Sequence, residues 1–144
     1  MYSHIVYFPP YLSHLPESNK LITGDYGLHD GNFWMLVHPF TIVTTIATLT
    51  LNWRIKKRRN LILIAFGIYA IAIVATGTYF LPNLLAFASS SSGTTIPASE
   101  WYQRGQTWQH FSWIRGSSLY VGFLTLLIAL TRNHGQSHQT NPNS

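Results

Sequence analysis

The stretch Arg54–Leu81, RIKKRRNLILIAFGIYAIAIVATGTYFL, joins a run of five cations to 21 residues that carry no charge at all. An α-helix rising about 1.5 Å per residue needs about 20 apolar residues to cross ~30 Å of hydrocarbon, so Leu61–Leu81 has the length of a membrane span. Two other runs match it: Phe33–Trp53, also uncharged, and Phe111–Leu130. Charged residues are only 9% of the 144-residue chain and aromatics 15%, which leaves too little polar chain to cover three apolar helices in water. The expected fold is all-α: an integral membrane bundle of three transmembrane helices at about 33–53, 61–81 and 111–131. Residues 1–32 form a segment on one side of the membrane, and the Gln/Asn/His-rich 132–144 is expected to be a disordered tail.

The charges give this bundle a direction. Six of the nine Lys/Arg residues lie in the 54–59 loop and at Arg132, while all four acids (Glu17, Asp25, Asp30 and Glu100) fall in the other two polar segments. The positive-inside rule puts the basic loop and the C-terminus in the cytoplasm, with residues 1–32 and 82–110 opposite. A bacterial inner membrane is the expected location. Wedged between two spans, the basic run favours anionic membrane lipid over nucleic acid as its partner. The absence of cysteine excludes disulfides, thiolate nucleophiles, iron–sulfur clusters and zinc–thiolate sites.

Local signals fill in the connections. Residues 1–12 are apolar but too short to span, and read as an interfacial segment or the stub of a helix. Gly24-Asp25 and Asp30-Gly31 are turn signals, and Asn32 is a candidate N-cap for the first span. Trp34 and Trp53 bracket that span as an aromatic belt, and Pro39 falls early in it, where a helix best tolerates proline. Pro82 predicts a break after the second span, with Leu84–Ala88 lying along the interface and 89–95 a flexible loop. Ser99 is a candidate N-cap and Glu100 suits the positive end of the helix dipole. A helix from there to Thr131 would be ~50 Å long, so its first turns must stand outside the hydrocarbon. An external N-terminus with no basic n-region to carry it across suggests a fourth helix, lost or supplied by a partner.

Chemistry is concentrated away from the basic loop. Arg104, Trp108, Phe111, Ser112, Arg115 and Ser118 follow helical 3/4 spacing on one face, and two guanidiniums with an indole suit an anionic or aromatic ligand. An arginine one turn inside the boundary also serves as a plain interfacial anchor. No span contains a carboxylate, so Arg115 needs a loop acid, a backbone carbonyl, lipid or a ligand as its partner. His38 heads a polar stripe of Thr41, Thr45, Thr48 and Asn52. The blander readings are a histidine satisfied by a neighbouring helix and threonines bonded to backbone carbonyls. Tyr69, Thr76, Tyr79 and Asn83 form a matching face on the second span. With His110, these groups are expected at one depth, in the outer leaflet.

His38 and His110 are also conceivable axial haem ligands, though no spacing requires it, and no cofactor or metal is expected. His134 and His138 in the tail support casual metal binding only. Ser118 and Gly122 form a small-xxx-small pair suited to helix packing. Phosphate loops, nucleophile elbows and H-E-x-x-H are absent from the sequence.

Tyr79-Phe80-Leu81-Pro82-Asn83, Trp101-x₂-Arg104-x₃-Trp108 and Trp113-Ile114-Arg115-Gly116-x₂-Leu119 together resemble the anthrone-oxygenase-like family of small integral membrane proteins, which usually have four helices. Val6-Tyr7-Phe8-Pro9 followed by Phe33-Trp34-x₃-His38 is similar to the segment after the first helix in bacterial members. The resemblance covers about residues 4–131 and implies a four-helix pattern lacking its first helix. It also implies a link to cofactor-independent oxygenation of anthrones. The family's Asn between Trp108 and Arg115 is replaced here, with His110 and Ser112 in that stretch.

Three functions compete on these residues. The first is a membrane protein with an outer-leaflet pocket for a small aromatic or anionic ligand, bound by Arg104, Trp108, Tyr79, Asn83 and Ser112. The second is an anthrone-oxygenase-like enzyme, with His38 or His110 as base and Arg115 stabilising the anion. The third is a lipid- or quinone-binding or accessory subunit, in which three helices with little mutual burial self-associate or pack on a partner helix.

Overall fold

The computed structural model describes residues 3–23, 31–90 and 96–131. All its regular elements are helical, with no strand among the described residues. Three helices are long and apolar enough to cross a membrane: Phe33–Leu51, Lys56–Ala88 and Ala98–Thr131. The expected turns at Gly24-Asp25, Asp30 and most of 89–95, together with the tail and its His134/His138 pair, lie outside the described residues.

A π-helical turn at Ser3–Tyr7 leads into α1 (Phe8–Ser13), with proline in its first turn, where no backbone N–H is required. A 3₁₀ turn at Glu17–Asn19 and α2 (Lys20–Thr23) follow. The first long helix, α3 (Gly31–Leu51), contains Asn32, so Asn32 is not its cap. Helix α3 ends two residues before the expected Trp53. It keeps its helical path through Pro39.

The basic run is not wholly a loop. A tight turn occupies 52–54, and Lys56–Arg59 already form the first turn of α4 (Lys56–Ala75). The Arg59 guanidinium lies 5.3 Å from the Trp53 ring centroid, and Arg58 donates to Asn52 Oδ1 at 3.3 Å. These contacts offset placing cations at a helix N-terminus.

Pro82 does not break the rod. A π-helical turn, Thr76–Phe80, joins α4 to α5 (Leu81–Ala88), giving one 33-residue helical stretch. The Leu81 N–H reaches back five residues to the Thr76 carbonyl. Widening the helix just before the proline ring relieves its clash with the preceding turn, and proline has no N–H to place. Leu84–Ala88 therefore continues the rod instead of lying along an interface, and Phe87 is buried.

Helix α6 (Ala98–Thr131) runs 34 residues, ~51 Å at about 1.5 Å per residue. It begins before the proposed cap Ser99, which falls in its first turn beside Glu100. About 20 Å of it exceeds what ~30 Å of hydrocarbon requires.

Helices α4 and α6 form the tight antiparallel pair. A Cβ on Gly122 would lie 3.4 Å from Ile68 Cγ2 and 3.7 Å from the Ala65 carbonyl, so a small residue at this seam lets the backbones approach. Helix α3 packs chiefly on α4, and none of its residues with described side chains is buried.

The best-packed region lies at the end of the rods remote from the 52–55 turn. Tyr11, Leu12 and Leu15 fold over α5 and α6 against Phe80, Phe87, Trp101 and Trp108. Residues 3–23 thus form a cap on the long helices. A Cβ on Gly105 would come within 3.2 Å of Leu12 Cβ and 3.4 Å of the Leu12 carbonyl, so glycine is what admits α1 here.

Candidate functional site

The α4–α6 pair opens sideways into an apolar groove of about 480 Å³, lined by Ile68, Ile71, Ala72, Ala75, Phe111 and Ile114 among others. Arg115, Tyr79, Phe80 and Ser118 complete its wall. The size falls in the range of small-molecule pockets. The apolar lining follows from the two apolar spans: it runs from Ile68, which also meets Gly122 at the seam, to Ala75, Tyr79 and Phe80 at the edge of the aromatic cap.

Arg115 is the one cation in this wall. Nη1 donates to Thr76 Oγ1 at 2.8 Å, and Nη2 to Ser112 Oγ at a longer 3.4 Å. The guanidinium carbon lies 4.0 Å from the centroid of the Phe80 ring, a cation–π contact. Its Nε is buried and makes no hydrogen bond among the described residues. The sequence reading sought a loop acid, a carbonyl, lipid or a ligand for this charge. Among the described residues, the protein supplies two hydroxyls and an aromatic face, and no carboxylate. Phe80 was missed, and it reaches Arg115 because the π-turn re-aims the side chains between Thr76 and Leu81.

Trp108, which is buried, stands behind Arg115. Its indole N–H donates to the Phe80 carbonyl at 3.1 Å. Its ring meets Phe8 at 4.9 Å, Phe80 at 5.8 Å and Phe87 at 6.3 Å between centroids. Trp108 and Ser112 therefore support the groove from behind, where the sequence reading had them touching a ligand. Nearby, burial and then the neighbouring Tyr7 raise the Tyr11 phenol above its ordinary range.

A second, polar cleft of about 340 Å³ adjoins the groove, lined by Tyr79, Asn83, Glu100, Gln103, Arg104 and Thr107. Tyr79 lines both spaces, stacked edge-on with Phe111 at 5.7 Å. Asn83 donates to the Tyr79 carbonyl at 2.7 Å, occupying an acceptor in the turn that precedes the proline. Arg104 forms an ion pair with Glu100 at 2.7 Å, both about half exposed, and its guanidinium lies 5.6 Å from the Trp101 ring. The expected single stripe thus divides: Arg115, Ser112 and Trp108 turn inward, and Arg104 lines the cleft.

The histidines are elsewhere. His38 shares a hydrogen bond with the Tyr69 hydroxyl at 2.8 Å on the α3–α4 seam and stacks on Trp34 at 5.5 Å. Tyr69 lies seven residues before Thr76, ~10 Å lower on the rod, so His38 and Arg115 do not share a depth. His110 is exposed and meets the edge of Phe111, beside Tyr79. That puts it ~15 Å along the rod from the His38 level, so the two rings do not face each other across one iron. The threonine stripe of α3 is satisfied within its own helix, Thr41 by the Val37 carbonyl, Thr45 by Thr41 and Thr48 by Thr44.

Comparisons with protein-family models, with curated proteins and with solved structures find no match to this chain.

Proposed function

We propose that this is a ligand-binding membrane protein whose lateral α4–α6 groove takes a small aromatic or anionic amphiphile with its polar end at Arg115. The observation that carries this is Arg115 itself: a cation on the wall of an apolar groove, held by Thr76, Ser112 and the Phe80 face, without a carboxylate partner among the described residues. Ionisable groups at membrane depth are costly and mark sites of function. The anthrone-oxygenase resemblance would require a base beside this guanidinium, and the arrangement of His38 and His110 favours binding over that chemistry. The third candidate, a lipid- or quinone-binding module, shares the groove.

The charge asymmetry supports an orientation with the 54–59 turn and C-terminus cytoplasmic, in a bacterial inner membrane, so that the groove opens in the outer leaflet. The chain contains no cysteine, so single cysteines at Glu17 and Lys57 would report sidedness with an impermeant maleimide. Labelling of Lys57→Cys, and not Glu17→Cys, from outside intact cells overturns the orientation.

The binding test is calorimetry of 2-naphthoate with protein in nanodiscs. Arg115→Gln removes a charge-assisted hydrogen bond, an expected loss of about 10- to 150-fold in affinity. Ile71→Trp, at an exposed position lining the groove, should block it. Unchanged affinity in both variants refutes the site.

A further inference from the structure

The groove and the N-terminal cap share one layer of side chains. Ala75, Tyr79 and Phe80 line the groove, and the same three belong to or pack against the buried cluster that holds Tyr11, Leu12 and Leu15. We infer that the cap is part of the ligand site: Phe8 and Trp108 are positioning residues that fix the Phe80 ring beneath Arg115, so that cap closure and ligand binding strengthen each other. This rests on the groove being a ligand site and names what completes it.

The coupling runs through contacts that each cross from one element to the next. Phe8 on α1 meets the Trp108 ring at 4.9 Å, and Trp108 on α6 meets Phe80 edge-on at 5.8 Å. The Trp108 indole N–H also donates to the Phe80 carbonyl at 3.1 Å, which ties down the end of the π-turn. Phe80, itself buried, then carries the Arg115 guanidinium 4.0 Å from its centroid. A guanidinium has five N–H donors. Thr76 takes one from Nη1 and Ser112 one from Nη2, while Nε is buried. Among the described residues this leaves one N–H on each Nη, and a carboxylate accepts such a pair as a fork. A fork binds best when its place is set beforehand, and the Phe80 ring sets it. With the cap away, Phe80 and Trp108 lose the packing that restricts their rotamers, and the fork loses its support. A carboxylate on the fork in turn holds Phe80 where the cap packs against it.

The test is limited trypsinolysis at Lys20, which lies in the cap, on protein in nanodiscs with and without saturating 2-naphthoate. Wild-type cleavage there should slow about 5- to 30-fold with ligand, the scale of one cation–π contact. Cleavage within the 54–59 turn of the same sample should not change. Arg115→Gln at the same naphthoate concentration should abolish the slowing. Gly105→Val, which opens the cap without touching the groove, should bind naphthoate more weakly by the same factor, because binding linkage is reciprocal. Phe8→Ala, which leaves both long helices intact, should shift affinity in the same direction. A cap that is only structural would be released by both variants, yet wild-type Lys20 cleavage would ignore the ligand. That result, with Arg115-dependent naphthoate binding retained, overturns the coupling and spares the groove. Slowing that persists in Arg115→Gln overturns the route through Phe80. No naphthoate binding to wild type overturns the coupling and the ligand reading together.

Discussion

Replacing Trp108 by Phe tests whether one indole fastens the N-terminal cap to the long helices. The substitution removes the N–H that donates to the Phe80 carbonyl at 3.1 Å, a net cost of about 1 kcal/mol, and more if the carbonyl is left poorly satisfied. It also shrinks a ring that is 3% exposed and packed against Phe8, Phe80 and Phe87. The lost burial adds ~1–2 kcal/mol. A total of about 2–3 kcal/mol corresponds to a 30- to 150-fold larger population of the opened cap. Lys20 is the only tryptic site before Arg54, so limited trypsinolysis followed by intact-mass analysis reads this opening directly. Cleavage tracks the open population as long as the cap recloses faster than trypsin cuts. Trp53→Phe, at the exposed far end of the rods, is the control and should leave the rate unchanged. A Trp108→Phe rate within twofold of wild type refutes the role assigned to the indole.

Gly105→Val should also release the cap, because even a Cβ meets Leu12 at 3.2 Å and two further methyls have nowhere to go; Lys20 cleavage that stays at the wild-type rate would contradict this packing. Tyr69→Phe removes the hydroxyl bonded to His38 and should loosen α3 by about 1 kcal/mol, seen as roughly fivefold faster hydrogen exchange across Val37–Thr45. Unaltered exchange would mean that the His–Tyr pair does not hold α3. The cap should also fail at alkaline pH. Tyr11 holds its proton more tightly when folded than when unfolded, so its contribution is fully present below pH ~10 and is lost as pH rises beyond that. Anisotropy of a dye on Glu17→Cys should fall above that pH in wild type and stay level in Tyr11→Phe, whose lost hydroxyl makes no hydrogen bond among the described residues. A fall of equal size in both assigns the release to another group.

The three long helices were legible because hydrophobic length and missing charge act along the chain, without reference to neighbours. Leu61–Leu81 alone required a span, and the excess length of α6 followed from counting residues to Thr131. Helical spacing put Gly122 at a helix-packing position and Trp108, Ser112 and Arg115 on one face. That face was read as meeting a ligand, however, and Ser118, paired with Gly122 in that reading, is exposed on the groove wall. Other features belonged to the fold in three dimensions. Pro82 signals a break in any local reading, yet the π-turn before it keeps the rod continuous and swings Phe80 under Arg115. The apolar start of the chain has no partner in sequence terms, and Gly105, 93 residues after Leu12, is what admits it. The stripe seen as one face divided because Arg104 stands near the start of α6, where Glu100 pairs with it, while Arg115 lies among the apolar walls of the groove. The sequence by itself determined that a helical protein must enter the membrane, because transfer of each span depends on its own side chains. Only the tertiary structure decided that its tight core is an aromatic cap at one end and that a charged groove runs beneath it, because both are made of contacts between helices.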